Sequence, residues 1–284
     1  MHNNLYSHPD KLLLNHLKDV GKLCKLTISE KRINFPDIDD KKIKNIASIL
    51  GICHDFGKST RFFQEYLGEL DIEIKMILKN KTQTNHGIFS AVFTYFVMKQ
   101  YLRKQNIEEH KFPYIPIFGY LIVKRHHGNL KNPNTEILNL DEEQIEIILE
   151  QIDSIDKPKI IDIYRKLLPN IDIRDFFSNI KSIIEEILNN KRKFLNFLKS
   201  EDSLYLYTLF QILFSILINS DKMEASGLIN LDKNKPVYTD KSDKQNISSN
   251  IIDKYRSIKF ADTEKSKIND IRNQIYNEVI YNIQ

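Results

Sequence analysis

The chain has 284 residues, of which 41% are hydrophobic and 28% charged, a balance that excludes a disordered or membrane-embedded protein. Forty-two Lys and Arg against 38 Asp and Glu leave a formal net charge of only +4, which excludes a general polycation for nucleic acid. Gly and Pro number 8 each, so long helices are expected and sheets are not.

The opening MHNNLYSHPD has neither the basic start nor the apolar run of a signal peptide. Cys24 and Cys53 have no zinc-ligand spacing and read as small buried hydrophobes, so a reducing, cytoplasmic location is expected. Pro9 suits the first residue of a helix, with Ser7 or His8 before it. Leu13, Leu17, Val20 and Cys24 then form an apolar stripe, and His16 leans toward that buried side. A second helix follows Asp37-Ile38-Asp39-Asp40, with Ile43, Ile46, Leu50 and Cys53 as its stripe and His54 at its inner end. Gly57 offers a break, after which Ser59 or Thr60 can cap a helix carrying Phe62, Phe63, Tyr66 and Leu67.

Thr84 can cap the next helix, placing His86 in its first turn, and the pattern runs to Leu102. Pro116 opens another, which reaches His126-His127-Gly128, where Gly128 suits a left-handed helix end. Helical spacing recurs over 141–152, 158–168, 172–199 and 203–219, the last delivering Asp221 at its carboxyl end. The apolar run Leu204 to Ile218 is too short to span a bilayer and contains Gln211, so it reads as a core helix. No segment reads as a strand. The expected fold is all-α, with one domain over 1–232, followed by a polar linker and a C-terminal helix over 233–284.

The chemistry concentrates in His54-Asp55. A carboxylate there can bridge two cations while the imidazole ligates one of them. His16, His86, His126 and His127 also fall at helix ends or lean toward apolar faces, and Asp221 closes a core helix, where a lone carboxylate is costly without a cation. Imidazoles mixed with carboxylates suit Mn, Fe, Co, Ni or Zn, with Mg, which favours an all-oxygen shell, the second option. Two such ions about 4 Å apart clamp a phosphodiester and make hydroxide available near pH ~7. His2, His8 and His110 receive no role, although His8 competes with His16. Arg61, Lys124, Arg125 and Lys222 read as a solvated face, and the basic–aromatic stretch 190–197 as an amphipathic helix.

The order H … HD-x-G-K … H … HH … D resembles the HD phosphohydrolase superfamily. HDFGKSTRFFQEYL, TNHG, KRHHGNL and NSDKMEAS resemble, more narrowly, the HD nuclease domain of the type I CRISPR-associated helicase–nuclease. The matching motifs span residues 16 to 221 and include the Phe63-Gln64 pair. The resemblance implies a helical bundle with the metal site among its central helices. It implies one ion on His16, His54, Asp55 and Asp221 and a second on His86, His126 and His127, with Asp55 bridging and Lys58 on the scissile phosphate. It also implies single-stranded DNA as substrate, opened by an RNA-guided CRISPR surveillance complex and fed by a superfamily-2 type helicase, in antiviral defence. The chain has no GxxxxGK[ST] loop. It is therefore either a stand-alone subunit or part of a helicase fusion, and INDIRNQIYNEV looks like the connector of fused members. The alternatives are an HD-type nucleotide phosphohydrolase and a non-catalytic metal-binding docking module. No GYP signature follows the HD pair, which argues against the cyclic-dinucleotide branch.

Overall fold

The computed structural model describes residues 4–31, 38–105, 114–130, 140–197, 203–227, 229–230 and 237–238. The expected C-terminal helix lies outside the described residues, as do His2 and His110. Eleven helices occur among the described residues: α1 (Leu13–Glu30), α2 (Asp40–Cys53), α3 (Arg61–Gly68), α4 (Ile72–Asn80), α5 (Gly87–Lys104), α6 (Tyr114–Lys124), α7 (Glu142–Asp153), α8 (Lys157–Leu167), α9 (Arg174–Ser178), α10 (Ile180–Phe197) and α11 (Ser203–Ala225). None is long and apolar enough to cross a membrane. The all-α expectation holds.

Several helix ends follow from local chemistry. The Asp39 carboxylate accepts from Lys42 N at 2.8 Å and starts α2. The Thr60 hydroxyl accepts from Phe63 N at 3.3 Å and starts α3. Asp71, Asp141 and Asp156 cap α4, α7 and α8 in the same way. Capping by a short polar side chain satisfies amide groups that no earlier turn can reach.

Five expectations are corrected. Pro9 does not open a helix: Pro9-Asp10 is the turn of an antiparallel hairpin, β1 (Tyr6–His8) with β2 (Lys11–Leu12), and α1 starts only at Leu13. Proline's fixed φ suits a turn as well as a first helical residue, so Pro9 alone does not discriminate. Strands therefore exist, in this hairpin and in a second, β3 (Ile229–Asn230) with β4 (Val237–Tyr238). The helix expected over 172–199 is broken between Ser178 and Ile180, where the Asn179 amide group donates to Asp175 O at 3.0 Å. Gly128 is not left-handed; Gly227 is the only positive-φ glycine among the described residues, and α6 ends at Lys124. Finally, α11 continues to Ala225, so Asp221 sits inside its last turns and not beyond its end.

The core is built around α5 and α6, which are buried on nearly every side. The stripes of α1 and α2 meet each other, with Leu13, Leu17, Val20 and Cys24 facing Ile43, Ile46, Leu50 and Cys53, all buried. Their approach is close. A Cβ on Gly51 would lie 2.8 Å from the Gly21 backbone, so no larger residue fits at this crossing without parting the helices. That contact brings the turn carrying His16 beside the end of α2, where His54 and Asp55 emerge.

Candidate metal centre

Asp55 follows His54 directly after α2, and the backbone then makes a 3₁₀ turn over Phe56–Ser59. Phe56 anchors this turn: it is fully buried and stacks on Phe93 with ring centroids 3.7 Å apart. Phe176 and Tyr164 flank it at 5.5 and 5.7 Å, and the Tyr164 hydroxyl donates to Ile52 O at 3.1 Å. Gly57 matters for space and not for φ. A Cβ there would stand 2.8 Å from both the Cβ and the carbonyl oxygen of His86, so glycine lets the HD turn and the start of α5 touch. Gly57 N also donates to the Ser90 hydroxyl at 2.9 Å.

The six other expected ligands and Lys58 converge on Asp55, which is itself fully buried. The two carboxylate oxygens divide the surroundings. Oδ2 lies 3.0 Å from His16 Nε2, 3.3 Å from His54 Nε2 and 2.7 Å from Lys58 Nζ. Oδ1 lies 3.1 Å from His86 Nε2 and 3.4 Å from His126 Nε2. His127 Nε2 in turn stands 2.8 Å from His86 Nε2. On the other side, Asp221 Oδ1 is 3.3 Å from His54 Nε2 and 3.5 Å from His16 Nε2. Two donor groups result: His16, His54, Asp55 and Asp221, and Asp55, His86, His126 and His127. In each, the donor atoms lie within 4.8 Å of one another.

The far side of each ring fixes which nitrogen is free. His54 Nδ1–H donates to Gly51 O at 2.8 Å, and His126 Nδ1–H donates to Val123 O at 2.6 Å. His16 Nδ1 faces Glu224 Oε2 at 2.5 Å. In these three rings Nε2 is therefore the nitrogen turned toward Asp55, where it can ligate a cation in place of a proton. Imidazole nitrogens and carboxylate oxygens gathered this closely out of water need a proton or a cation between them. Consistent with this, the buried atoms Asp55 Oδ1 and His126 Nε2 have no hydrogen-bond partner among the described residues. The donor set fits a divalent metal of imidazole and carboxylate preference.

The electrostatics are those of a crowded buried site. Burial opposes ionisation of Asp55, but His54, Lys58 and the His126 and His16 rings outweigh it and hold the carboxyl well below its usual range. Asp221 is likewise held low, with His54 overcoming the cost of burial. Burial alone would push His54 down, but Asp55 and Asp221 reverse this and raise it to about 10. His16 and His86 stay low because burial dominates over Asp55.

Three residues gain a place that sequence reasoning missed. His8 is half-buried beside the site, its ring 5.1 Å from that of His16. Glu224, one turn beyond Asp221 and 5% exposed, supports His16 from behind. Its signal was a second acid at i+3 on a helix already carrying a candidate ligand. Gln64, read only as part of a motif, binds the hairpin to the HD turn: its Nε2 donates to Lys58 O at 2.7 Å and to Tyr6 O at 2.8 Å. Phe63 is buried, with its ring 5.3 Å from His86 and 5.5 Å below the Lys58 ammonium.

Residues 6–203 match the family model described as Cas3, HD domain, which is more than half of the chain. Among solved structures, the CRISPR-associated Cas3 HD domain protein MJ0384 from Methanocaldococcus jannaschii is similar at 16% identity and a TM-score of 0.43, over 77% of this chain and 100% of that one. No curated protein matches the sequence. With the HD turn at the centre of a helical bundle and the family model spanning all but the last helix of the site, the chain belongs to the Cas3 HD-domain family, a CRISPR-associated branch of the metal-dependent HD hydrolases.

Proposed function

We propose that the chain is a divalent-metal-dependent nuclease that cleaves single-stranded DNA in CRISPR interference. One observation carries the reading: a fully buried Asp55 divides its oxygens between two sets of histidine Nε2 atoms, three of which belong to rings whose Nδ1 is engaged elsewhere. On this reading His16, His54, Asp55 and Asp221 hold one ion, and His86, His126 and His127 hold a second shared through Asp55. Two transition-metal ions, once bound, would supply Lewis acidity to a phosphodiester and hydroxide at neutral pH.

The chain's own residues do the rest. Asp55 fixes the spacing of the two sets because one carboxylate serves both. Lys58, 6% exposed and held over Phe63, keeps an ammonium 2.7 Å from Asp55 Oδ2, positioned to swing onto a phosphate oxygen once Asp55 is otherwise engaged. His54 gives up a proton when an ion binds, since it is raised to about 10 without one. A separate or fused helicase and an RNA-guided surveillance complex, in the cytoplasm, would present the strand.

The test is a metal screen (Mn, Fe, Co, Ni, Zn and Mg) on circular single-stranded DNA, circular duplex DNA, RNA and free nucleotides, without ATP. Nicking of the single-stranded circle with resistance of the duplex is expected. Rapid hydrolysis of free nucleotides with an intact circle would instead identify a nucleotidase on the same scaffold. Metal uptake with no hydrolysis of any of these would point to a docking module.

A further inference from the structure

The three rings that turn Nε2 toward Asp55 are not supported alike. His54 and His126 each rest Nδ1 on a neutral backbone carbonyl. His16 rests Nδ1 on a carboxylate, Glu224 Oε2, at 2.5 Å, shorter than its 3.0 Å contact to Asp55 Oδ2. Both partners of this bond are buried, at 0% and 5% exposure, so the pairing is insulated from water. The other Glu224 oxygen is paired with the Lys11 ammonium, which comes from β2 of the hairpin. Lys11, Glu224 and His16 thus form a line from the hairpin to the centre. A lone buried carboxylate this near two metal-ligand candidates would be costly, and it is made tolerable by donors on both sides.

We propose that Glu224 is the positioning residue of this centre: it keeps the His16 proton on Nδ1 and so presents Nε2 to the cation shared with His54, Asp55 and Asp221. Lys11 holds the carboxylate in place from the opposite side. The inference rests on the metal reading above. A carboxylate behind a ligating imidazole orients the ring and raises its basicity, and removal of such a partner lowers metal affinity roughly 10–100-fold. The role is specific to one ion, because among the described residues Glu224 and Lys11 pair with each other and with His16 and with none of His86, His126 and His127.

The experiment strips the full chain with chelator and titrates it with Co(II), reading affinity from visible absorption and stoichiometry from mass spectrometry. Glu224→Gln keeps the shape and loses the charge. It should weaken one ion by roughly 10–100-fold and leave the other unchanged. Lys11→Met should weaken the same ion by a smaller factor. In a His16→Ala background, Glu224→Gln should have no further effect, whereas in a His126→Ala background it should still weaken the remaining ion. Wild-type affinity for both ions in Glu224→Gln, or equal losses in both backgrounds, would overturn the assignment and leave the metal centre standing. A wild-type chain that takes up no divalent cation would overturn the metal reading first. If Glu224→Gln fails to fold, histidine nitrogen NMR of the zinc-loaded wild type decides instead: the His16 proton should reside on Nδ1, and its residence on Nε2 refutes the role.

Discussion

Gln64 pairs with both backbone polar groups of Tyr6, its Oε1 accepting from Tyr6 N at 3.1 Å and its Nε2 donating to Tyr6 O at 2.8 Å. A side chain on α3 thereby acts as a strand partner for the hairpin. The same Nε2 holds Lys58 O, so one amide group ties the hairpin to the HD turn. The hairpin also carries His8 and Lys11, both directed to the centre.

Loss of this amide group removes three hydrogen bonds to part-buried backbone groups. Gln64→Ala should therefore destabilise the fold by about 2–4 kcal/mol, and Gln64→Leu by a similar amount despite its better volume. Thermal melts of the metal-free chain would measure it. A midpoint within a degree of wild type would show that the hairpin does not depend on Gln64.

Asp55→Asn preserves shape and removes the charge that two donor sets share. Turnover should fall to less than about a tenth of wild type, because a lost bridging ligand weakens both ion binding and the transition state. Helical content by circular dichroism should barely change, since Asp55 lies in a turn anchored by Phe56. Substantial residual hydrolysis would disprove the bridging role.

The two donor groups can be emptied separately. His126→Ala or His127→Ala should reduce bound metal from roughly two ions toward one, and His16→Ala should do the same through the other set. Mass spectrometry of the loaded variants reads the stoichiometry. Unchanged metal content in both His126→Ala and His127→Ala would reduce that pair to a helix terminus and remove the second ion from the mechanism.

Stability of the metal-free chain should peak near neutral pH. His54 is raised from 6.5 to about 10, so the native state holds a proton that the unfolded chain releases. That contribution is complete below pH 6.5 and disappears as pH rises through about 10. His16 and His86 are lowered from 6.5 by burial, so their contribution is present above that value and is lost as acid protonates the unfolded chain. Asp55 and Asp221, held low, add to the loss at more acid pH. Calorimetric scans after chelation would show the maximum. A midpoint that climbs steadily from neutral to alkaline pH would contradict the assignment of the His54 proton. Metal loading at neutral pH should also release about one proton, visible as a buffer-dependent heat of binding.

Much of this protein is legible along the chain. Breaker-poor composition, the stripes of α1 and α2, and the Asp39 and Thr60 caps are local properties, and local periodicity decides helix placement. The order of histidines and acids marked the ligand candidates that meet at Asp55, and the family resemblance added Lys58. What the sequence could not determine depends on contacts between distant segments. His16 and Glu224 are 208 positions apart, so nothing nearby in the chain marks Glu224 as its support. Gly51 and Gly57 look like ordinary small residues until the Gly21 backbone and His86 arrive within 3 Å of where a side chain would stand. The hairpin was invisible because its two short strands carry no alternation, and Pro9 suits a turn and a helix start equally. Which oxygen of Asp55 faces which histidines is likewise a matter of helix crossing. Periodicity reports which face of an element is apolar, whereas the partner of that face, and the polar atoms brought together behind it, are chosen by close packing of the whole bundle.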